Sequence, residues 1–506
     1  SGKIPSRDKL LVVEANLLRE RFSIDVRLEE EVIDVNPETK EIRTSKDTYA
    51  YDKLVFTTGA RPNIPPIKNI YNANNWSTCR SLSDFDKIMK EGLLESVQKV
   101  TILGSGLIGV EVAENICKLG KEVTLIEGVD QILPMWQPKF SSFAEQELEN
   151  KGIKVVKGAF VNEFLNEGNK TKQLLTSKGD LIDTDFVIVS TGIKPNTELL
   201  VSKGAKTLGN GALLVNEKME TSLQDIYAAG DNASIMNTQT KQHDYLPLGT
   251  HSNKGGRTAG ANAVGCEETY AGGNKTAIIK IFDFTLARTG LNPKDLNKLG
   301  WEYKTNLIVA GSTPGYYPGQ KDMIVEIYFN PKDYTIYGAE AYGEVGVDKR
   351  IDVLSTAIYA NLKITDLPQI DLAYAPPFSP AKDPIIVNGF VTSNIVRNNY
   401  EEISVEELSE KFKNSEDLQI VDVRTFDEVD SNGKIHENAI HIDVNVLRDN
   451  LHQLDKSKET IVYCAKGLRG YLATRILNHT GFESAKNLSG GFKIWEMNTI
   501  EQLSLV

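Results

Sequence analysis

The chain has 506 residues, which is too many for one hydrophobic core and corresponds to about three to four domains. Its hydrophobic fraction of 40% and charged fraction of 25% are typical of a soluble globular protein. The formal net charge of -12 argues against nucleic acid as a partner, because phosphate binding requires clustered lysine and arginine. The sequence has no run of about 18 apolar residues, so we expect no membrane span.

The cysteines are far apart in the sequence, at Cys79, Cys117, Cys266 and Cys464. They form no Cys-x-x-Cys pair, so we expect neither a metal site nor a disulfide framework, and we expect the reducing cytoplasm as the location. Cys117 lies in a predicted helix and is expected to be a small core residue. Cys79 and Cys266 lie near the predicted domain joints and are not expected to be thiolates.

The first segment predicts a helix from Asp8 to Arg21 and strands at Ile24–Arg27 and Glu31–Asp34. A further buried strand begins at Lys53 and leads into Thr58-Gly59-Ala60-Arg61-Pro62. Glycine directly after a buried strand is typical of a sheet edge that a ligand approaches closely.

A second α/β segment begins near Val97. Lys99–Leu103 predicts a strand, Gly104–Gly109 a glycine loop, Val110–Leu119 a helix and Lys121–Glu127 the next strand. Because the connections between strand, helix and strand are short, we expect the two strands to be parallel.

The glycine loop has the spacing Gly-x-Gly-x-x-Gly, which by itself also arises by chance. Here it follows a strand and opens a helix, which is the context of a dinucleotide site. Gly104 permits the tight turn, Gly106 lets the backbone approach a pyrophosphate, and Gly109 lets helix and strand pack closely. The helix N-terminus favours the anion. Glu127 ends the next strand, where its carboxylate accepts from a ribose 2′-hydroxyl and repels a 2′-phosphate, so NADH is favoured over NADPH.

Three later segments resemble FAD-dependent disulfide reductases. They are Thr221–Asp231, which ends in Gly-Asp, Thr191–Asn196, and Leu248–Arg257, which resembles the helix that approaches the flavin ring. The alternative for the first is a strand followed by an Asp-capped helix. The resemblance implies that FAD is bound, and that the cofactor-binding residues beyond the glycine loop are Val32, Thr58, Gly59, Arg61, Gly192, Gly230, Asp231 and Leu248.

The segments Gly315–Gly319, Gly343–Asp352 and Leu372–Ser379 resemble the dimerisation domain of coenzyme A-disulfide reductases. In that family, tyrosines at the positions of Tyr316 and Tyr374 reach the active site of the partner subunit. The resemblance implies a homodimer with active sites shared across the interface, and coenzyme A as substrate or bound ligand. The alternative is that both tyrosines are core residues of an antiparallel sheet.

Reductases of this family open with a glycine-rich FAD fingerprint, followed by one redox cysteine. The chain opens with Ser1-Gly2-Lys3-Ile4, and neither feature is found there. We expect both to lie in a stretch that precedes Ser1, which leaves the reductase nucleophile unassigned; the alternative is a degenerate reductase.

The segment Thr460–Gly470 predicts a strand, a loop and a helix start, and resembles the active loop of rhodanese domains. Cys464 is the expected sulfur carrier, because amide N–H groups and a helix N-terminus stabilise a thiolate or persulfide anion. Lys466 and Arg469 add positive charge. Four residues separate Cys464 from Arg469, whereas related phosphatases have a longer loop, so sulfane sulfur is favoured over phosphate. The alternative is an inert structural cysteine. Asp422 and Arg424 are expected to hold the fold.

The fold class that follows is a multidomain α/β protein with two Rossmann-like FAD/NAD domains, an α+β dimerisation domain and a C-terminal α/β rhodanese domain. The expected segments are 1–76 and 198–270 for FAD, 77–197 for NADH, 271–397 for dimerisation and 398–506 for the rhodanese unit.

The expected function is NADH- and FAD-dependent reduction of sulfur–sulfur bonds in coenzyme A persulfide, polysulfide or coenzyme A disulfide, coupled to sulfur transfer through a persulfide on Cys464. The substrates are small-molecule thiols and persulfides. Two alternatives are a flavoenzyme of the NADH oxidase or peroxidase type, and a sulfur-carrying module on an inert reductase scaffold.

Overall fold

The computed structural model describes Ile4 and residues 7–503, without the side chains of residues 499–503. Residues 1–3, 5–6 and 504–506 lie outside the described residues. The chain divides into two compact units. Unit 1 contains the residues up to Asp130 and Glu149–Gly273, and unit 2 contains Gln131–Leu148 and the residues from Asn274 onward.

The described α-helices are α1 (Ala15–Phe22), α2 (Leu82–Lys87), α3 (Leu107–Lys118), α4 (Pro138–Asn150), α5 (Glu198–Val201), α6 (Gly249–Ala263), α7 (Pro293–Leu299), α8 (Val347–Tyr359), α9 (Pro384–Val396), α10 (Val405–Lys413), α11 (Phe426–Asn432), α12 (Leu468–Asn478) and α13 (Gly491–Leu503). Shorter 3-10 or π-helical turns lie at Arg7–Leu10, Ile70–Asn72, Ile88–Gly92, Ile364–Gln369 and Val444–Gln453.

The strands of unit 1 are β1 (Val32–Asn36), β2 (Glu41–Thr44), β3 (Thr48–Ala50), β4 (Leu54–Phe56), β5 (Ala60–Pro62), β6 (Trp76–Thr78), β7 (Lys99–Leu103), β8 (Glu122–Ile126), β9 (Lys154–Val156), β10 (Val161–Glu167), β11 (Lys170–Thr176), β12 (Leu181–Asp183), β13 (Phe186–Val189), β14 (Ile193–Pro195), β15 (Ile226–Ala228), β16 (Ile235–Met236) and β17 (His243–Asp244). Those of unit 2 are β18 (Ala277–Ile281), β19 (Phe284–Gly290), β20 (Lys304–Gly311), β21 (Asp322–Phe329), β22 (Ile336–Gly343), β23 (Glu401–Ile403), β24 (Gln419–Asp422), β25 (Ile440–His441), β26 (Thr460–Tyr463) and β27 (Ala485–Leu488).

Unit 1 contains a five-stranded parallel sheet in the order β6-β13-β7-β8-β9. Strand β7 is an almost fully buried apolar run, as expected for a parallel strand that is covered on both faces. It pairs with β8 so that Leu103 lies opposite Ile126. The predicted strand–loop–helix–strand order and the parallel pairing are confirmed, although α3 begins at Leu107 rather than Val110.

The rest of unit 1 is built around β4 and β15, which pair in parallel with Phe56 opposite Ala228. Helix α6 packs against both strands. Because parallel strands end on the same side of a sheet, the residues after β4 and those after β15 emerge side by side. A crevice outside the carboxyl ends of such strands is the usual ligand position in α/β folds.

Two predictions for the first segment are wrong. The stretch Ile24–Arg27 is not a strand, because no neighbouring strand pairs with it among the described residues. The single helix from Asp8 to Arg21 is divided into a short 3-10 turn at Arg7–Leu10 and α1. The break contains the β-branched residues Val12 and Val13, which have lower helix propensity.

Unit 2 contains two further sheets. The antiparallel sheet β18-β19-β22-β21-β20 packs against α8 and α9 around an aliphatic core. The second sheet, β23-β27-β26-β24-β25, is parallel throughout and leads from β26 into α12. The predicted fold class is confirmed by these sheets together with those of unit 1. None of the described helices has the length and apolar character needed to span a bilayer.

Candidate active site

The glycine loop after β7 has the geometry of an anion-binding turn. Gly104 has a φ of 95°, which is the left-handed region that favours glycine. A Cβ atom added at Gly109 would lie 1.9 Å from the carbonyl oxygen of Gly104, so the close approach of helix and loop requires glycine. A Cβ atom at Gly106 would meet nothing within 4 Å, so this side of the loop is open. Gly106 also precedes α3, whose first amide groups face an approaching ligand.

Glu127 is held at the glycine loop by hydrogen bonds. The backbone N–H of Ser105 donates to Glu127 Oε2 at 2.9 Å, and the Ser105 hydroxyl donates to the same oxygen at 2.7 Å. The N–H of Val129 donates to Oε1 at 3.2 Å. The carboxylate therefore stands beside the loop at the end of β8, where a nucleotide ribose would lie. The loop and Glu127 together fit a pyridine dinucleotide.

We expect Gly109→Ala to destabilise the fold, because the added methyl group collides with the Gly104 carbonyl. Overpacking of this kind costs about 1–3 kcal/mol or more, which lowers the melting temperature by several degrees. Differential scanning calorimetry measures the shift. Gly106→Ala is the matched control, because its methyl group meets open space; this variant should melt like the wild type and lose affinity for NADH. Equal melting temperatures for all three proteins would contradict the packing argument.

A second candidate binding site of unit 1, in the crevice expected outside the carboxyl ends of parallel strands, lies at the ends of β4 and β15. Asn232 connects the two ends, because its Nδ2 donates to Phe56 O at 3.0 Å and to the Thr58 hydroxyl at 3.1 Å. Its Oδ1 is buried and has no hydrogen-bond partner within the described residues. Gly59, with a φ of 63°, and Gly230, with a φ of 92°, leave the backbone uncovered on both sides. An unpaired buried acceptor beside two bare glycines fits a bound polar ligand such as the ribityl chain of FAD.

Asp231 lies in this crevice and is paired with Arg80, whose NH2 atom is 2.6 Å from Asp231 Oδ2. Arg80 NH2 would also lie 3.9 Å from a Cβ atom at Gly59. From the other side, Ser252 of α6 donates to Asp231 Oδ1 at 3.5 Å. Leu248 is the N-cap of α6, so the helix N-terminus starts next to this cluster. The site therefore brings together five of the predicted residues and adds Arg80, which the sequence analysis did not single out.

The remaining predicted cofactor residues of unit 1 are Val32, Arg61 and Gly192. Arg61 donates to Asn196 Oδ1 at 2.7 Å and forms an ion pair with Glu198. Gly192 has a φ of 93°, and its carbonyl accepts from Asn63 N at 2.9 Å. Val32 begins β1 and packs against the core that contains Phe56. Cofactor contacts for Val32, Arg61 and Gly192 stay predictions.

Tyr316 and Tyr374 lie together on the surface of unit 2. The neighbouring Tyr374 phenol raises the pKa of Tyr316. The residues are 76% and 52% exposed, so the alternative that they belong to the core of a sheet is wrong. Two exposed phenols in contact can donate hydrogen bonds to a substrate thiolate from another molecule.

Arg350 of α8 connects the two segments that contain these tyrosines. Its guanidinium is 2.8 Å from Asp383 Oδ2 and donates to the carbonyl of Ser312 at 3.2 Å. Ser312 precedes Tyr316 in one loop, and Asp383 follows Tyr374 in the other. Both charged side chains are almost fully buried, so the removal of either would leave an unpaired buried charge. Arg350 is therefore a positioning residue for the tyrosine pair.

Cys464 lies at the start of the loop between β26 and α12. Its sulfur accepts a hydrogen bond from Gly467 N at 3.1 Å, and its carbonyl accepts from Phe492 N at 2.8 Å. Gly467 has a φ of 116°, which turns this amide towards the sulfur. The residue is only 2% exposed, so a donor can reach its sulfur only with a small group such as a terminal sulfur atom.

Both cations of this loop are paired with carboxylates. The NH1 and NH2 atoms of Arg469 each lie 2.6 Å from an oxygen of Glu428, and this bidentate contact lowers the pKa of Glu428 to about 2. Lys466 Nζ lies 2.7 Å from Asp322 Oδ2. Burial acts to raise the pKa of Asp322, but hydrogen bonds from Lys466 and Gln320 outweigh it, so that pKa is lowered. The positive charge expected at the sulfur loop is therefore largely balanced.

Comparison of the sequence with known proteins shows which family the chain belongs to. Residues 4–244 match the pyridine nucleotide-disulphide oxidoreductases, and residues 276–384 match the dimerisation domain of that family. The NAD(P)H sulfur oxidoreductase (CoA-dependent) of Pyrococcus furiosus is 32% identical over 388 residues, which covers 76% of this chain and 86% of that protein. The chain belongs to the pyridine nucleotide-disulphide oxidoreductase family. Residues 404–498 match a rhodanese-like domain.

Two solved structures extend this similarity over nearly the whole oxidoreductase chain. Reduced Bacillus anthracis CoADR-RHD is 34% identical, covers 99% of this chain and 90% of that chain, and superposes with a TM-score of 0.93. A NAD-dependent persulfide reductase from A. fulgidus is 36% identical, covers 96% of this chain and 88% of that chain, and gives a TM-score of 0.89.

The other cysteines of this oxidoreductase do not have the surroundings of a nucleophile. Burial raises the pKa of Cys79 and of Cys117, which disfavours the thiolate. Cys117 is half-buried rather than in the core, and its sulfur donates to Lys151 O at 3.4 Å. Cys266 is exposed.

Several residues of the site were missed by the sequence analysis: Ser105, Arg80, Asp322, Arg350, Asp383 and Glu428. Only Arg350 has a recognisable sequence signal. It lies three residues after Val347 and four before Leu354, which places an arginine on the apolar face of α8. A charge at such a position indicates a buried partner. The roles of the other five depend on hydrogen-bond or ion-pair partners that are distant in the sequence.

Proposed function

We propose that this oxidoreductase catalyses NADH- and FAD-dependent reduction of sulfur–sulfur bonds in coenzyme A persulfide, polysulfide or coenzyme A disulfide, and that Cys464 transfers sulfane sulfur as a persulfide. The observation that carries the proposal is that unit 2 contains both an exposed tyrosine pair and a cysteine whose sulfur accepts an amide hydrogen bond from its own loop. Relatives named for coenzyme A-dependent sulfur reduction and for persulfide reduction support it. We infer a cytoplasmic location, because all the cysteines are free.

Residues of unit 1 bind the two dinucleotides in this proposal. The amides that follow Gly106 receive the NADH pyrophosphate, and Glu127 accepts from its ribose hydroxyls. Asp231 and the bare backbone at Gly59 and Gly230 receive the ribityl chain of FAD. FAD, when bound, supplies the electron relay between NADH and the sulfur substrate. The protein contributes binding and orientation.

Tyr316 and Tyr374 serve the substrate thiol in this proposal. The protein acts as a homodimer, and each subunit supplies its tyrosine pair to the active site of its partner. One phenol donates to the thiolate that leaves when the sulfur–sulfur bond is cleaved, and the second phenol lies beside the first and helps to orient it.

Cys464 carries sulfur in a step that needs no external oxidant or reductant. Its thiolate attacks the outer sulfur of a persulfide R–S–SH, a Cys464 sulfur–sulfur bond forms, and the original bond breaks to release R–S⁻. The amide of Gly467 stabilises the anion on the sulfur both before and after the transfer.

Tyr374→Phe tests the reductase part of the proposal. We expect the kcat for coenzyme A persulfide reduction by the flavin-loaded full-length protein to fall about a hundredfold, because general acid assistance to the leaving thiolate is lost. NADH consumption at 340 nm measures it. Bleaching of the flavin by NADH should be unchanged, since Tyr374 takes no part in it.

Tyr317→Phe is the matched control, because Tyr317 neighbours Tyr316 in the same loop; this variant should keep the wild-type rate. A wild-type rate in Tyr374→Phe would contradict the role of that tyrosine. NADH consumption with dioxygen alone, without dependence on any sulfur substrate, would favour the NADH oxidase alternative. A colourless purified protein that still transfers sulfur would favour the inert scaffold.

A further inference from the structure

The loop that holds Cys464 contains two cations, and each is balanced by a carboxylate from outside the loop. Lys466 pairs with Asp322, which begins β21 of the antiparallel sheet. Arg469 pairs with Glu428 in the first turn of α11. Each cation of the loop therefore has a carboxylate counter-charge.

The two carboxylates are fixed in position by further hydrogen bonds. Gln320 Nε2 donates to Asp322 Oδ1 at 2.9 Å. The N–H and the hydroxyl of Thr425 donate to Glu428 Oε2 at 2.9 and 3.0 Å. Lys493 is a second cation near Asp322 and contributes to its lowered pKa, so Asp322 faces the positive charge of two lysines. Because these hydrogen bonds fix the two carboxylates, their negative charges stay next to Lys466 and Arg469 when the surrounding side chains move.

Sulfur donors differ in the charge that such a loop must accommodate. Thiosulfate is a dianion and releases sulfite, another dianion, so its binding depends on unpaired cations near the cysteine. The persulfide group of an organic donor has at most one negative charge and releases a thiolate, for which amide N–H groups suffice, and the other charges of the donor lie away from the reacting sulfur. The rim also has apolar surface, since Leu468 is 72% exposed and Phe426, two residues before Glu428, is 70% exposed. Apolar surface favours an organic donor over an inorganic dianion.

We propose that Asp322 and Glu428 are specificity-determining residues, which direct Cys464 towards organic persulfides and away from thiosulfate by neutralising Lys466 and Arg469. This inference rests on the proposed sulfur transfer at Cys464. Asp322 belongs to the sheet of the dimerisation region, so the donor preference of the sulfur loop is set partly by a neighbouring fold.

Asp322→Asn in the full-length protein tests the inference. Asparagine keeps the hydrogen bond from Gln320 and removes only the charge. We measure the rate constants for adding one sulfur atom to Cys464 from thiosulfate and from glutathione persulfide, by rapid quench and intact-protein mass spectrometry. The ratio of thiosulfate rate to persulfide rate should rise about tenfold at low salt. The gain should decrease at high salt, because screening weakens the attraction of a released Lys466 for the dianion.

Three comparisons make the result specific. Asp417→Asn removes a carboxylate from a similar pair, 2.7 Å from Lys458 and away from the loop, and should leave the ratio unchanged. Glu428→Gln should raise the ratio, as Asp322→Asn does. The double variant Asp322→Asn/Lys466→Gln should return the ratio towards the wild-type value, because Asp322 acts through Lys466.

An unchanged ratio in both Asp322→Asn and Glu428→Gln, with an active wild type, would overturn the inference and leave the proposed function intact. A wild-type ratio that already favours thiosulfate would also overturn it. If the wild type accepted sulfur from neither donor, the proposed function of Cys464 would fail, and this inference with it.

Discussion

Cys464→Ser is expected to reduce sulfur transfer by about a thousandfold or more, because a serine hydroxyl is not ionised near neutral pH and cannot carry sulfane sulfur. The sulfur of Cys464 is the group that accepts the Gly467 amide hydrogen bond, and it lies at the base of the loop with 2% exposure. Mass spectrometry of the protein persulfide that forms from glutathione persulfide measures the loss of sulfur transfer.

Cys266→Ser is the matched control for this prediction, because Cys266 is an exposed thiol in unit 1. This variant should form the Cys464 persulfide at the wild-type rate. NADH should still bleach the flavin in Cys464→Ser, since the two steps use different residues. Residual transfer at the wild-type rate would assign the sulfur to another thiol, and a simultaneous loss of flavin reduction would contradict two separable sites.

Glu127→Ala is expected to lower kcat/KM for NADH about tenfold to a hundredfold and to raise the relative use of NADPH. In the proposed function the carboxylate accepts charge-assisted hydrogen bonds from the ribose hydroxyls, which would be worth about 1.5–3 kcal/mol, and its charge would repel a 2′-phosphate. The substitution also has a second effect, on the glycine loop itself. Glu127 accepts from Ser105 N and from the Ser105 hydroxyl, and alanine removes both hydrogen bonds. Steady-state kinetics with both nucleotides measure the ratio.

Glu127→Gln separates these two effects. Glutamine retains an oxygen that accepts from Ser105 but lacks the charge, so it should keep the loop and lose much of the discrimination against NADPH. Glu122→Ala, at the exposed start of the same strand β8, is the control and should leave the ratio unchanged. An unchanged NADH to NADPH ratio in Glu127→Ala would remove this carboxylate from the ribose.

The sequence by itself determined the parts of the site that are local in the chain. The strand β7, the glycine loop and α3 follow one another without a gap, and their turn, close packing and helix start each require a residue type that is visible in the sequence. The sulfur loop is local in the same way, since Cys464, Gly467 and Arg469 all lie between β26 and the first turn of α12. In both cases one short segment contains the residues of the candidate site. The sequence context of the glycine loop and the resemblance of the sulfur loop to rhodanese domains therefore suffice to predict them.

The pattern of a single segment does not predict a strand correctly when no second strand is available to pair with it. Ile24–Arg27 alternates apolar and charged residues like a strand, yet it is irregular because no described strand pairs with it. Strand pairing depends on hydrogen bonds to another segment, and a single-segment pattern carries no information on them.

Only the tertiary structure decided how the loops of the site are positioned and how the charges near Cys464 are balanced. Arg350 connects Ser312 to Asp383, and thereby brings the loops of Tyr316 and Tyr374 together. The balance of charge at the sulfur loop is of the same kind, because the partner of Lys466 is 144 residues away in the sequence. Electrostatic effects depend on distance in space, so the cations that the sequence shows beside Cys464 acquire their final effect only when the fold brings carboxylates to them.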